Sequence, residues 1–192
     1  MNARPGRPGP ASAAIVGALA AAATLGAVPA IAVPVPSGPR LEGMFLMAGR
    51  VSAATRIPGE RVGRTVLRTW TFIAPCPVGT CSSAVLVRTR GSGRDTLTLR
   101  RRSPGSYTGS GHFYAPLRCG TKTYPRGELV PFTITLRITA ATPGSHPTAT
   151  RLGASYTNRS RTNLTRCFSV LGHDAADYHG HLLGAGSGGV PG

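Results

Sequence analysis

The sequence predicts an all-β fold: a single antiparallel up-and-down meander, barrel or sandwich of six to eight strands, stapled by disulfides. Three observations carry this expectation. Short runs of alternating apolar and polar residues recur, punctuated by Gly, Pro, Ser and Asn. No stretch sustains the 3.6-residue periodicity of an amphipathic helix. Four cysteines, an even number, sit in a chain that opens like an exported one.

The opening segment stands apart. Arg4 and Arg7 make the first ten residues basic, and residues 11–32 are uncharged, alanine-rich and end in Ala30-Ile31-Ala32. Basic, apolar and then small residues predict a signal peptide over 1–32, read by the general secretion route. Alanine is weakly apolar, and Pro29 sits near the end of the run, which argues against an uncleaved anchor. Residues 33–40, "VPVPSGPR", read as a proline-rich linker. Residues 41–172 are expected to form the β domain and 173–192 a polar, glycine-rich tail. Within that tail "HDAADYH" reads as one helical turn. No integral membrane domain is expected once the signal is removed.

Each strand follows from local pattern. Residues 43–54 read as the first, ended by a turn at Pro58-Gly59. In the second, 63–74, Val66, Trp70 and Phe72 share one parity, interrupted by Arg68. Residues 83–90 and 94–102 read as a hairpin around a three-residue loop, Gly91-Ser92-Gly93, with glycine in the left-handed position. That register sets Arg90 opposite Arg94, Val87 opposite Leu97 and Val85 opposite Leu99. Val85, Val87, Leu97 and Leu99 then share a buried face. Arg88, Arg90, Arg94, Arg100 and Arg102 share the outer one, with Leu86 as the misfit. Residues 104–118 supply a turn and a short strand through His112-Phe113-Tyr114, and Tyr124–Gly127 reads as a turn. Residues 131–140 alternate cleanly, with Phe132, Ile134, Leu136 and Ile138 inward. Residues 149–157 place Leu152, Ala154 and Tyr156 on one side, and 163–170 run extended toward Cys167 and Phe168.

The cysteines allow three connectivities. The favoured one pairs Cys76 with Cys81 across a Pro-Val-Gly-Thr turn, and Cys119 with Cys167. The spacing lacks the Cys-x2-Cys pairs of zinc sites and redox motifs.

The formal charge is +16, falling to about +14 if Arg4 and Arg7 leave with the signal. Such an excess favours an anionic polymer or a cell-envelope surface as partner. Arg90 opposite Arg94 would repel across the hairpin, and a bridging anion would relieve the repulsion. Aromatic residues do not accompany the stripe, so no sequence-specific nucleic-acid binding is expected. His173, Asp174, Asp177, His179 and His181 carry metal-binding chemistry, with His173, Asp177 and His179 as weak candidates. Their spacing matches no zinc-enzyme motif. No nucleophile elbow occurs, and the six carboxylates are scattered. His112 with Asp95 and a serine is the one catalytic grouping weighed. Asn158-Arg159-Ser160 and Asn163-Leu164-Thr165 are short glycosylation sequons of little weight.

The expectation is therefore no enzyme, no cofactor and no metal, but a secreted non-catalytic binding module for anionic envelope or extracellular polymers. One alternative is a barrel carrying a small apolar ligand among Trp70, Phe72 and Phe132. Another is a secreted inhibitor presenting Pro77–Thr80. Ligand and oligomeric state are left open.

The leader ending Ala30-Ile31-Ala32, the stretch Trp70-Thr71-Phe72 with Cys76 and Cys81, and the later Cys119 and Cys167 resemble the small exported β-rich proteins of high-GC bacteria. That resemblance implies export and no particular activity. The meander is similar to a lipocalin in architecture only, because Gly43-Met44-Phe45 lacks the tryptophan of that family's opening strand.

Overall fold

The computed structural model describes residues 38–90, 93–167 and 171–184. The predicted signal peptide and most of the predicted linker lie outside the described residues, as do Gly91, Ser92 and Phe168. Every regular element among the described residues is a strand. In chain order they are β1 (Gly43–Thr55), β2 (Thr65–Ile73), β3 (Ser83–Arg90), β4 (Gly93–Ser103) and β5 (Ser106–Cys119). There follow β6 (Lys122–Ala141), β7 (Ala149–Asn158), β8 (Thr162–Asn163) and β9 (His173–Leu182).

Strands β1 to β7 pair in sequence, and β9 fits between β7 and β1, closing an eight-stranded antiparallel barrel. The short β8 pairs with β6 at Glu128 and Leu129, outside the ring. Closure leaves no exposed sheet edge around the circumference. Alternation fills the interior with Phe45, Met47, Trp70, Phe72, Leu86 and Leu99, with Tyr107, Ile134, Leu136 and Leu152 beside them. At roughly 1.5–3 kcal/mol for each large apolar side chain buried, this interior is the main stabilising term.

Both cysteine pairs of the favoured connectivity are bonded: Cys76–Cys81 and Cys119–Cys167. The first closes the β2–β3 loop. The second ties the tip of the β5–β6 hairpin to the segment that leads into β9. Such bonds persist in oxidising compartments, and they are consistent with an extracellular or otherwise oxidising environment. Among the described residues no helix is long and apolar enough to cross a membrane.

Three expectations are corrected. First, Arg90 pairs with Gly93, Thr89 with Arg94, Arg88 with Asp95 and Leu86 with Leu97. The connection is thus one residue tighter than the predicted three-residue loop. A one-residue shift turns a whole strand over. Leu86 therefore faces the core, while Val85 and Val87 face outward, half-buried. Arg88 and Arg90 point into the barrel, and Arg94, Arg100 and Arg102 stay exposed on the outside of β4. The five arginines do not share a face.

Second, Tyr124–Gly127 is not a turn but a bulge inside the long β6. Ala115 pairs with Glu128 and Leu117 with Tyr124, so residues 125–127 face residue 116 alone. Pro125 has no amide hydrogen to give the ladder, and a Cβ on Gly127 would stand 2.4 Å from that of Leu117.

Third, residues 173–182 are neither a helical turn nor part of a tail, and the rest of the predicted tail from residue 185 lies outside the described residues. Residues 173–182 form β9, the strand that completes the barrel. Asp174, Ala176, Tyr178 and Gly180 face inward, and His173, Asp177, His179 and His181 outward. Pairing with β1 sets Gly49 against Tyr178 and Gly180 against Met47. A Cβ on Gly49 would lie 2.3 Å from the Tyr178 ring, and one on Gly180 would lie 2.1 Å from Met47 Sδ. Each glycine makes room for the large side chain opposite.

Candidate functional site

The two ends of the barrel differ. At the end where β1, β3 and β7 finish and β2, β4 and β9 begin, the apolar filling stops. A cavity of about 320 Å³ opens above it, walled on one side by Trp70, Phe113, Tyr156 and Tyr178. Trp70 is itself 1% exposed and packs 5.1 Å from Tyr178, so the floor is firm. The β1–β2 loop contributes Ile57 and Glu60 to the rim. This loop is held down by Val51, whose N–H donates to Arg64 O at 2.9 Å and whose carbonyl accepts from Gly63 N at 2.8 Å.

The rest of the wall is charged. Arg68, Arg88, Arg90 and Arg161 line the cavity against Glu60 and Asp174. Each inward arginine follows from strand parity. Positions 84, 86, 88 and 90 face in, so the chain that buries Ala84 and Leu86 deep in the barrel also carries Arg88 and Arg90 to its mouth.

Burying guanidinium groups requires partners. Arg88, 4% exposed, donates through Nη2 to Asp95 Oδ2 directly across the hairpin and lies 4.0 Å above the Phe132 ring. Arg90 stacks 3.8 Å above Phe113. Its Nε lies 3.4 Å from Asp95 Oδ1, an ion-pair distance at which neither atom makes a directed hydrogen bond. Arg161 enters from the segment after β7 and donates to Glu128 at 2.8 Å and to Asp174 at 3.0 Å. Burial works against its charge, but the two carboxylates outweigh burial and raise its pKa. Arg68 donates to its neighbour's carbonyl, Leu67 O, at 2.9 Å.

Not every polar atom is satisfied. Five buried side-chain atoms among the described residues lack a hydrogen-bond partner: Glu60 Oε2, Arg88 Nε, Arg90 Nε, Asp95 Oδ1 and Tyr156 OH. Four belong to residues that line this cavity, and the fifth is the carboxylate between the two stacked arginines. Burial, with the nearby Asp174 charge, pushes the Tyr156 phenol far up in pKa, against the pull of Arg88 and Arg161. It therefore stays protonated, able to donate.

The opposite end carries a broad groove between the β2–β3 loop and residues 144–148. Arg40 clamps the disulfide loop, donating to Cys76 O at 2.9 Å and to Gly79 O at 3.1 Å. The groove contains none of the unpartnered buried atoms. Val78 protrudes there at the tip of the Pro77–Thr80 loop, 78% exposed.

The remaining sequence candidates are dispersed. His173, Asp177 and His179 lie along the outer face of β9, with His173 Nε2 3.3 Å from Thr55 Oγ1. No group of three or more His, Cys, Asp or Glu among the described residues is placed to hold a metal ion. His112 is exposed outside β5 while Asp95 faces in, so that pair does not meet. Both sequon asparagines are engaged: Asn158 donates to Pro131 O and Ser160 O, and Asn163 to Cys167 O, each at 2.6 Å.

Sequence reasoning missed Arg161, Tyr156 and Glu128 as site residues and weighed Asp95 only beside His112. Arg68 breaking the apolar parity of β2 was the one legible sign of a charged interior. Comparison of the chain with protein-family models, with curated proteins and with solved structures finds no match.

Proposed function

We propose that this protein is an exported, non-catalytic binding barrel that takes a small molecule into the cavity at its mouth. The observation that supports this most is the gathering of unpartnered buried polar atoms around one aromatic-walled cavity. Leaving such groups unpaired costs about 1–3 kcal/mol each, and a ligand offering complementary atoms recovers that cost. A volume near 320 Å³ falls at the small end of ligand pockets, roughly 300–1,000 Å³. Of the interior expected for an apolar ligand, Phe72 and most of Trp70 are spent on packing. The polar mouth, not the centre, is the place for a guest.

Trp70, the sole tryptophan, stands in the cavity wall and reports occupancy. Titration with 1-anilinonaphthalene-8-sulfonate should give saturable energy transfer from Trp70, one dye per chain. Transfer that stays linear with dye concentration would reject the cavity as a binding site.

A second reading concerns charge on the outer wall. Arg94, Arg100 and Arg102 are exposed along one side of β4, a spacing that suits an anionic polymer rather than a small guest. Retention on heparin that falls steeply with salt, and that Arg94→Glu with Arg100→Glu abolishes, would support it. Retention unchanged by that double substitution would reject it.

A further inference from the structure

We infer that the guest of the mouth cavity is a small planar anion, an aromatic carboxylate or sulfonate, whose charged group is received by Arg88, Arg90 and Tyr156. This rests on the cavity reading and goes further, because it fixes the ligand's chemistry.

The first ground is donor count. Three buried atoms without a directed hydrogen bond can donate: Arg88 Nε–H, Tyr156 O–H and Arg90 Nε–H, the last at ion-pair distance from Asp95 Oδ1. They belong to residues that line the same cavity, and the phenol lies close enough to Arg88 to feel its charge. Donors carried by several residues of one cavity wall suit an acceptor-only group. An ionised carboxylate or sulfonate is such a group.

The second ground is charge. Four guanidinium groups line the wall against the carboxylates of Glu60 and Asp174. Asp174 is held by Arg161, and Glu60 lies 3.3 Å from Arg64. Among the described residues Arg90 has only Asp95, which Arg88 already engages, and Arg68 has no carboxylate partner. Arg161 also takes Glu128, so with Arg64 counted five guanidinium groups face four carboxylates, Glu60, Asp95, Glu128 and Asp174, and one positive charge is left uncancelled.

The third ground is shape. Phe132 and Phe113 hold the Arg88 and Arg90 guanidinium groups over their rings, at 4.0 Å and 3.8 Å from the centroids, which restrains both side chains. A planar skeleton suits a wall to which Trp70, Phe113, Tyr156 and Tyr178 all contribute aromatic surface. Glu60 Oε2 is an unpartnered acceptor on the loop rim, and it suits a hydroxyl or amine on the same guest.

The test compares naphthalene-2-sulfonate with its uncharged isostere, naphthalene-2-sulfonamide, by calorimetry on the full chain. The sulfonate should bind at least tenfold more tightly. Arg90→Gln should bring it down to the level of the sulfonamide while leaving the sulfonamide unchanged. Tyr156→Phe keeps the ring and should weaken the sulfonate alone. Arg94→Gln, on the outer wall, should change neither. Binding of both compounds with equal affinity would overturn the anion assignment and leave the cavity reading standing. Absence of binding by either would overturn both. A sulfonate preference lost in Arg94→Gln but kept in Arg90→Gln would place the anion on the outer wall and refute the inference.

Discussion

At the residue level, the pair that matters most is Arg88 and Asp95. Both side chains are nearly inaccessible, at 5% and 8%, and they face each other across the β3–β4 hairpin. Removing one partner strands the other charge in a low-dielectric interior, which typically costs about 3–5 kcal/mol. Asp95→Asn should therefore lower the urea midpoint sharply, whereas Arg88→Met with Asp95→Leu should recover much of the loss. A single substitution as mild as the double one would mean that the pair is hydrated and not buried. The sequence concealed this contact for a simple reason. Gly91-Ser92-Gly93 is compatible with a loop of two or three residues, and the alternation of β3 fits either, since Val85 and Val87 are as apolar as Ala84 and Leu86. One residue of register decided whether two arginines met water or the interior.

At the level of elements, β6 and β9 show what pattern can and cannot reveal. Residues 131–140 alternate large apolar and polar residues, and the structure buries Phe132, Ile134 and Leu136 as the pattern requires. In β9 the inward positions are Asp174, Ala176, Tyr178 and Gly180. Only one is a large apolar side chain, because Gly180 must admit Met47 and Asp174 must meet Arg161. A strand shaped by its neighbours' bulk looks polar in isolation. The two disulfides act on different elements and should differ in effect. Cys119–Cys167 spans 48 residues and anchors the approach to β9, while Cys76–Cys81 spans 5. Loop-closure entropy assigns them about 4 and about 2 kcal/mol. Replacing Cys119 and Cys167 by serine should accordingly destabilise more, in urea unfolding, than replacing Cys76 and Cys81. The reverse order would show that β9 holds without its staple.

At the level of the whole molecule, the barrel is filled at its centre and open at one end, and its tyrosines link that architecture to pH. Burial raises the pKa of Tyr107, Tyr156 and Tyr178 in the fold. Unfolded phenols ionise near pH 10. Above that value the folded chain holds more protons than the unfolded one, so stability falls as pH rises. The urea midpoint should show no tyrosine-dependent change between pH 8 and 9 and should drop above about pH 10. A midpoint indifferent to pH up to 11.5 would mean that the phenols are solvated. All-β architecture, the disulfide pairing and most strands could be read from composition, parity and turn residues. The mouth could not, since its residues come from six strands and two loops with no shared local motif.

The most direct test of the central claim uses the single indole N–H of Trp70. In a ¹⁵N-labelled sample its one resonance should move saturably on addition of naphthalene-2-sulfonate, together with the backbone signals of Arg88, Arg90 and Tyr156. A stationary Trp70 resonance, with shifts confined to Arg94, Arg100 and Arg102, would contradict a ligand site inside the mouth of the barrel.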